Sequence, residues 1–137
     1  MGGPTPQRRA YLEMMERVSA AWLELFQDDT EFYATAYWDL FTALWLAGRP
    51  LRKTDAMASM RAVKSAHTAG KYVDYAVTKG LLIEESNPTD ARSKLLRLAP
   101  EMKAKLDAFF DAAMAEVCDT AHRLEGDLGN AGGAQRG

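Results

Sequence analysis

Cysteine occurs once in the 137 residues, at Cys118, and histidine twice, at His67 and His122. A lone thiol excludes an internal disulfide, and three side chains cannot complete a tetrahedral zinc set of Cys and His. A reducing cytoplasm is therefore the expected location. No apolar run approaches the ~18 residues of a membrane span, and the N-terminus has no basic region followed by an apolar core. Met1-Gly2-Gly3 begins as a myristoylation signal does, but Pro6 stands where Ser or Thr is required. The expectation is a soluble, unprocessed protein with no membrane partner. There is no nucleophile elbow, Gly-rich phosphate loop or metal-ligand spacing, and carboxylates such as Glu31 and Asp39 lie on helical stretches with no evident partner. The chain is expected to be no enzyme and to carry no cofactor and no metal.

With 47% hydrophobic residues, the chain has enough apolar material for one core but is short for two, so 1–137 is expected to be a single domain. From Pro6, Tyr11, Met14, Met15, Val18, Trp22, Leu25 and Phe26 recur at spacings of three and four, which predicts an amphipathic helix within 6–27. Gln27-Asp28-Asp29-Thr30 breaks it. Thr30 is expected to cap a second helix to about Ala47, apolar around much of its circumference through Phe32, Tyr33, Tyr37, Trp38, Leu40, Phe41, Leu44 and Trp45. Gly48-Arg49-Pro50 ends it, and Thr54-Asp55 is expected to cap a short third helix through Met60 and Arg61. From Pro100 to about Glu125, Leu106, Phe109, Phe110, Ala113, Val117, Ala121 and Leu124 predict one long helix. The Gly- and Ala-rich residues 126–137 are expected to be a disordered tail.

Net charge is −2, but it is unevenly divided. Between Arg49 and Arg97 ten Lys or Arg stand against five acids, a balance of +5, which leaves −7 for the rest. A cationic middle between acidic helical ends suits a phosphate-bearing partner, although solvated helices also segregate charge.

The most informative stretch is 65–98. Ser65 can accept from an orphan amide at a helix start, and Gly80 can take the left-handed conformation that ends that helix. Leu81, Leu82 and Ile83 then form a β-prone run, Asn87-Pro88-Thr89-Asp90 carries turn chemistry, and Leu95, Leu96 and Leu98 are apolar again before Pro100. Helix, strand, long turn, strand, helix is the order of a winged helix. On the Ser65 helix, Ala69, Tyr72, Val73, Ala76 and Val77 form an inward stripe. His67, Thr68, Lys71, Asp74, Tyr75 and Thr78 are left outward.

The run from Ser65 to Leu82, with Lys79-Gly80-Leu81-Leu82 at its exit, resembles the recognition helix of the MarR-type winged-helix transcription regulators. Asp90-Ala91-Arg92 is similar to the acidic-x-Arg signature of that family's wing, and Leu98-Ala99-Pro100-Glu101 to the start of its next helix. The resemblance implies a mainly α fold, a winged helix-turn-helix ordered α-α-α-α-β-β-α. Its core would be 30–99, with 6–27 and 100–125 as dimerisation helices. It implies a homodimer that reads a near-palindromic site in double-stranded DNA with the 65–79 helix and the 86–93 wing. Under it, Ser65, His67, Thr68, Lys71, Tyr75, Arg92 and Lys94 become candidate DNA-binding residues.

Each candidate has a plainer reading. Lys71 could read a base edge or be a solvated lysine, and His67 and Thr68 could be first-turn surface residues. Arg92 could enter the minor groove or form a turn salt bridge, with Asp90 placed to hold its guanidinium. Gly70 costs about 1 kcal/mol in a helix interior relative to Ala, which close approach to DNA or to the third helix would explain. Trp22, Phe26, Tyr37, Trp38, Phe41 and Trp45 could line a pocket for a small aromatic effector, as the resemblance suggests, or simply form a core. The competing function is a winged-helix module that binds protein and not DNA, favoured by the acidic total and by the two lone cations, Lys71 and Lys79, of the 65–79 helix.

Overall fold

The structure, a computed structural model, describes the backbone of residues 5–136 and the side chains of 5–126. It divides into two compact units, one made of the residues up to Asp28 and from Asp107 onward, the other of Asp29–Leu106.

The second unit is a winged helix. Asp29 caps a 3₁₀ turn, Thr30–Tyr33, by accepting from the Glu31 amide at 3.2 Å. Helix α2, Thr35–Ala47, follows from Ala34, which provides no side-chain cap. The expected second helix is thus broken in two, and the cap is Asp29 rather than Thr30. Ala34 is extended at ψ 141°, which interrupts the helical ladder. Gly48 ends α2 in the left-handed conformation at φ 62°.

Leu51–Arg52 then forms β1, a strand that two residues could not announce by periodicity. It exists because Leu51 and Arg52 pair with Leu96 and Leu95 of β3. Helix α3, Lys53–Ala58, starts directly from β1 with Arg52 at the cap position, so Thr54 and Asp55 lie inside the helix and do not cap it. Its end at Ala58 falls short of the expected Met60–Arg61. Helix α4, Ala66–Thr78, is followed by β2, Leu82–Ser86, and β3, Lys94–Leu98. The antiparallel sheet has the order β1-β3-β2, with Leu82 opposite Leu98 and Ser86 opposite Lys94.

The core of this unit is aromatic. Phe32, Tyr37 and Phe41 are almost fully buried; Phe32 and Tyr37 meet edge-to-face at 4.7 Å, and Tyr37 and Phe41 stack at 5.8 Å. Leu40, Leu44, Met60, Val73, Leu82, Leu96, Met102 and Leu106 complete it.

The first unit comprises α1, Pro6–Glu24, and most of α5, Pro100–Arg136. Thr5 caps α1 by accepting from the Arg8 amide at 3.2 Å. Trp22 meets both Phe26 and Phe109 edge-to-face at 5.3 Å, and Arg17 pairs with Glu116 at 2.7 Å. The expected α1 stripe is only partly buried: Met14, Trp22 and Phe26 are inside, whereas Tyr11 and Met15 are exposed; Leu12, outside the stripe, is exposed as well, as are Met114 and Val117 of α5. Helix α5 also continues to Arg136, so a tail beginning at Gly126 is corrected for the described backbone. With no proline after Pro100, nothing removes an amide from the helical ladder, and a glycine lowers helix propensity without breaking the ladder. The side chains from 127 on, and Gly137, lie outside the described residues. Among the described residues no helix is long and apolar enough to cross a membrane.

Phe41 has 0% exposure at the centre of the aromatic core. Phe41→Ala is expected to lower stability by about 3–5 kcal/mol, measured by urea unfolding.

Candidate nucleic-acid interface

Helix α4 is capped as the sequence predicts. Ser65 accepts from the Thr68 amide at 3.2 Å, and Gly80, at φ 79°, donates to the Val77 carbonyl at 3.0 Å while Leu81 donates to Ala76. Ala69, Val73 and Ala76 are buried and Tyr72 and Val77 half-buried, which leaves His67, Thr68 and Lys71 exposed along the N-terminal half.

Two tyrosines fix the inner side of the helix. The Tyr37 hydroxyl donates to the Tyr72 carbonyl at 2.8 Å from inside the core, where burial pushes its pKa well above the ordinary phenol range. Tyr75 was expected outward with the DNA-binding candidates. It is half-buried instead, its ring against Phe32 at 5.2 Å and its hydroxyl donating to Asp29 Oδ2 at 2.8 Å. That bond, with lesser contributions from desolvation and from the charges of Asp29 and Glu31, pushes its pKa up to about 12. The reason for the correction is the 3₁₀ turn, which brings Asp29 against α4 and gives the phenol an acceptor. Lys79 lies over the Tyr75 ring, 5.4 Å from its centroid.

The wing turn is built on Asn87 and Asp90. Asn87, 8% exposed, donates from Nδ2 to Ser93 Oγ at 2.8 Å, while its Oδ1 accepts from the Thr89 amide at 3.1 Å and hydroxyl at 2.8 Å. Asp90 Oδ1 accepts from the Arg92 amide at 3.0 Å. Asp90 therefore holds the backbone of Arg92, not its guanidinium as expected, because the turn directs the amide and not the side chain back toward the carboxylate. The Arg92 side chain is exposed and makes no ion pair among the described residues. Lys94, at the base of β3, is exposed as well, whereas Arg97 pairs with Glu85 at 3.4 Å.

Sequence reasoning missed three residues that shape this surface. Lys53, at the start of α3, reaches both Asp74 of α4 and Glu84 of β2, at 3.0 and 2.7 Å. Asp39, buried on α2, accepts from the Arg61 amide at 3.3 Å and so holds the loop before α4. Asn87 was legible as a turn residue but not as the turn's organiser. For Lys53 and Asp39 the partners lie more than twenty residues away, beyond any local pattern.

The six aromatics expected to line a pocket divide between the units. Trp22 and Phe26 pack with Phe109, and Tyr37 and Phe41 with Phe32, as core. Trp38 is 40% exposed. Trp45 borders a shallow recess with Leu44, Arg49, Arg97, Leu98 and Lys103.

The sequence matches no family model and no curated protein. Solved structures do match. The transcriptional regulator Tm0710 from Thermotoga maritima superposes with a TM-score of 0.59 at 15% identity, over 96% of this chain and 94% of that one. A MarR-like transcription regulator from Bacillus cereus does so at 0.52 and 15%, over 94% and 89%. The chain has the MarR-type winged-helix fold. A third structure with this fold, NadR in complex with 4-hydroxyphenylacetate, matches at 0.52 and 16% identity over 93% of this chain and 81% of its own.

In that fold α4 is the helix that the resemblance assigned to DNA, and Gly70 lies on it. A Cβ at Gly70 would meet only Met57 Cε of α3, at 3.9 Å, which is ordinary contact. The third helix therefore does not require a glycine there. Gly70→Ala is expected to stabilise the protein by about 1 kcal/mol, measured by thermal unfolding. A loss of DNA affinity in the same variant would assign the glycine to close approach of the duplex.

Proposed function

We propose that the protein is a DNA-binding transcription regulator that acts as a homodimer on a near-palindromic operator. The observation that carries this reading is the pairing of two features on one unit. A capped helix leaves His67, Thr68 and Lys71 exposed, and beside it a wing turn held by side-chain bonds leaves the Arg92 guanidinium exposed and without an ion pair among the described residues. The N-terminal half of such a helix enters the major groove in helix-turn-helix docking, and a wing arginine suits the narrow, electronegative minor groove. Ser65 would contribute through its cap and Lys94 through phosphate. Tyr75 would act from behind, by holding α4 to Asp29. The structures that share the fold are named as transcription regulators, which supports the same reading.

The homodimer is supported by the exposed apolar side chains of α1 and α5, Tyr11, Leu12, Met15, Met114 and Val117, since a monomer gains nothing by wetting them. A two-fold dimer presents two copies of α4 about 34 Å apart, one turn of duplex. For a small aromatic effector, the recess beside Trp45 offers a ring face with Arg49, Arg97 and Lys103 around it, which suits a ligand carrying an acid group. NadR, with the same fold, is solved with an aromatic acid bound.

Light scattering at micromolar concentration is expected to give twice the 15.2 kDa chain mass. A single-chain mass would remove the interface argument. On a verified operator, Arg92→Ala is expected to weaken many sequences alike and to reduce the slope of log affinity against log salt by up to ~1.8 per dimer. Lys71→Ala is expected instead to lower discrimination between operator variants, by roughly 1–3 kcal/mol at the position it reads. If no DNA responds to either substitution, the surface is one for protein rather than DNA.

A further inference from the structure

Lys53 occupies the corner where the parts of the winged helix meet. It is the first residue of α3 and directly follows β1, whose Leu51 pairs with Leu96 of β3. Glu84 lies opposite the same Leu96 from the other side, in the middle of β2. The Lys53 ammonium is 2.7 Å from Glu84 Oε1 and 3.0 Å from Asp74 Oδ1. Its side chain is 26% exposed, so it is only partly screened by water. The hydrogen bond to Glu84, followed by that to Asp74, raises its pKa despite burial, so it stays charged at any physiological pH.

The other polar side-chain bonds of the wing stay inside the hairpin: Asn87 with Thr89 and Ser93, Asp90 with Arg92, and Glu85 with Arg97. They shape the wing but do not attach it to α4. Among the described residues the polar side-chain link between α4 and β2 runs through Lys53. Two carboxylates that share one ammonium are also close to each other, within about 6 Å, where like charges repel appreciably. Removing the cation therefore does more than delete two bonds, because it leaves a repulsive pair between helix and wing.

We propose that Lys53 is the positioning residue of this surface: it sets the wing against α4 so that Arg92 and the outward residues of the helix engage one duplex together. The inference rests on the DNA-binding reading for its effect on affinity. The clamp itself is a property of the free protein.

The test uses the full chain with Lys53→Met, Lys53→Arg, Asp74→Asn/Glu84→Gln and the triple substitution. Lys53→Gln replaces the Met variant should that one not fold. Loss of the clamp is expected to weaken operator binding about tenfold with Lys53→Met, to be largely rescued by Lys53→Arg, and to shrink to under about threefold where both carboxylates are already neutral. The salt slope is expected to stay constant. A slope reduced by ~1.8 per dimer would mean that Lys53 touches phosphate directly, and an equal loss in the carboxylate-free background would mean simple charge addition. Either result overturns the proposal.

A second arm needs no DNA. Nitroxide labels at Thr78→Cys and Ala91→Cys, with Cys118→Ser, report the distance between the end of α4 and the wing tip in the free protein. The distribution is expected to broaden with Lys53→Met and to narrow again in the triple variant; an unchanged distribution overturns the clamp. Broadening in a protein that binds no DNA supports the clamp and rejects the DNA-binding reading alone.

Discussion

The winged-helix unit depends on the seating of one amphipathic helix on one aromatic cluster. Phe32, Tyr37 and Phe41 form a buried group onto which α4 lays Tyr72 and Tyr75, with the Tyr37 and Tyr72 rings edge-to-face at 5.2 Å and those of Phe32 and Tyr75 also 5.2 Å apart. The hydroxyl of Tyr37 converts that apolar contact into a fixed position by donating to the Tyr72 carbonyl. Partly shielded from water, such a bond helps to set the rotation of α4 about its axis as well as its height. Which residues face outward follows from that rotation.

Polar contacts then refine what packing begins. Asp29 serves twice, through Oδ1 to the Glu31 amide and through Oδ2 to the Tyr75 hydroxyl, which ties the start of the unit to the middle of α4. Asp39 holds the loop that leads into the helix, and Lys53 joins the helix to the wing. The positive balance of the central segment is therefore divided between two tasks. Lys53, Arg61 and Arg97 sit in ion pairs with the unit's own carboxylates, while Lys71, Arg92 and Lys94 face water. A modest net charge is compatible with a usable cationic surface when the internal pairs absorb most of the acids.

The other unit is organised differently. Trp22, Phe26 and Phe109 bury one seam between α1 and α5, but Tyr11, Leu12, Met15, Met114 and Val117 remain on the outside. Thr120 is 2% exposed, and among the described residues its hydroxyl has no hydrogen-bond partner. Two helices cannot cover all their apolar surface with one contact seam, and this surplus is what the proposed second copy would cover.

The sequence by itself determined the parts whose causes are local. The Ser65 cap and the Gly80 stop of α4, the left-handed Gly48, the two wing strands and the long helix from Pro100 each follow from a few adjacent residues. The inward stripe of α4 was legible because helical spacing alone places Ala69, Val73 and Ala76 on one face. Only the tertiary structure decided the rest, because it depends on residues brought together from far apart. Strand β1 exists through pairing with β3, and Tyr75 turns inward because Asp29 waits there. Trp22 and Tyr37 belong to separate cores although both are aromatic, and the Arg92 side chain is left exposed because the turn carries its amide, not its side chain, to Asp90. Lys53 reads as one more surface cation until folding brings two carboxylates to its ammonium. Local sequence fixes dihedral preferences and faces, whereas the partner of a charge or a phenol is set by packing over the whole chain.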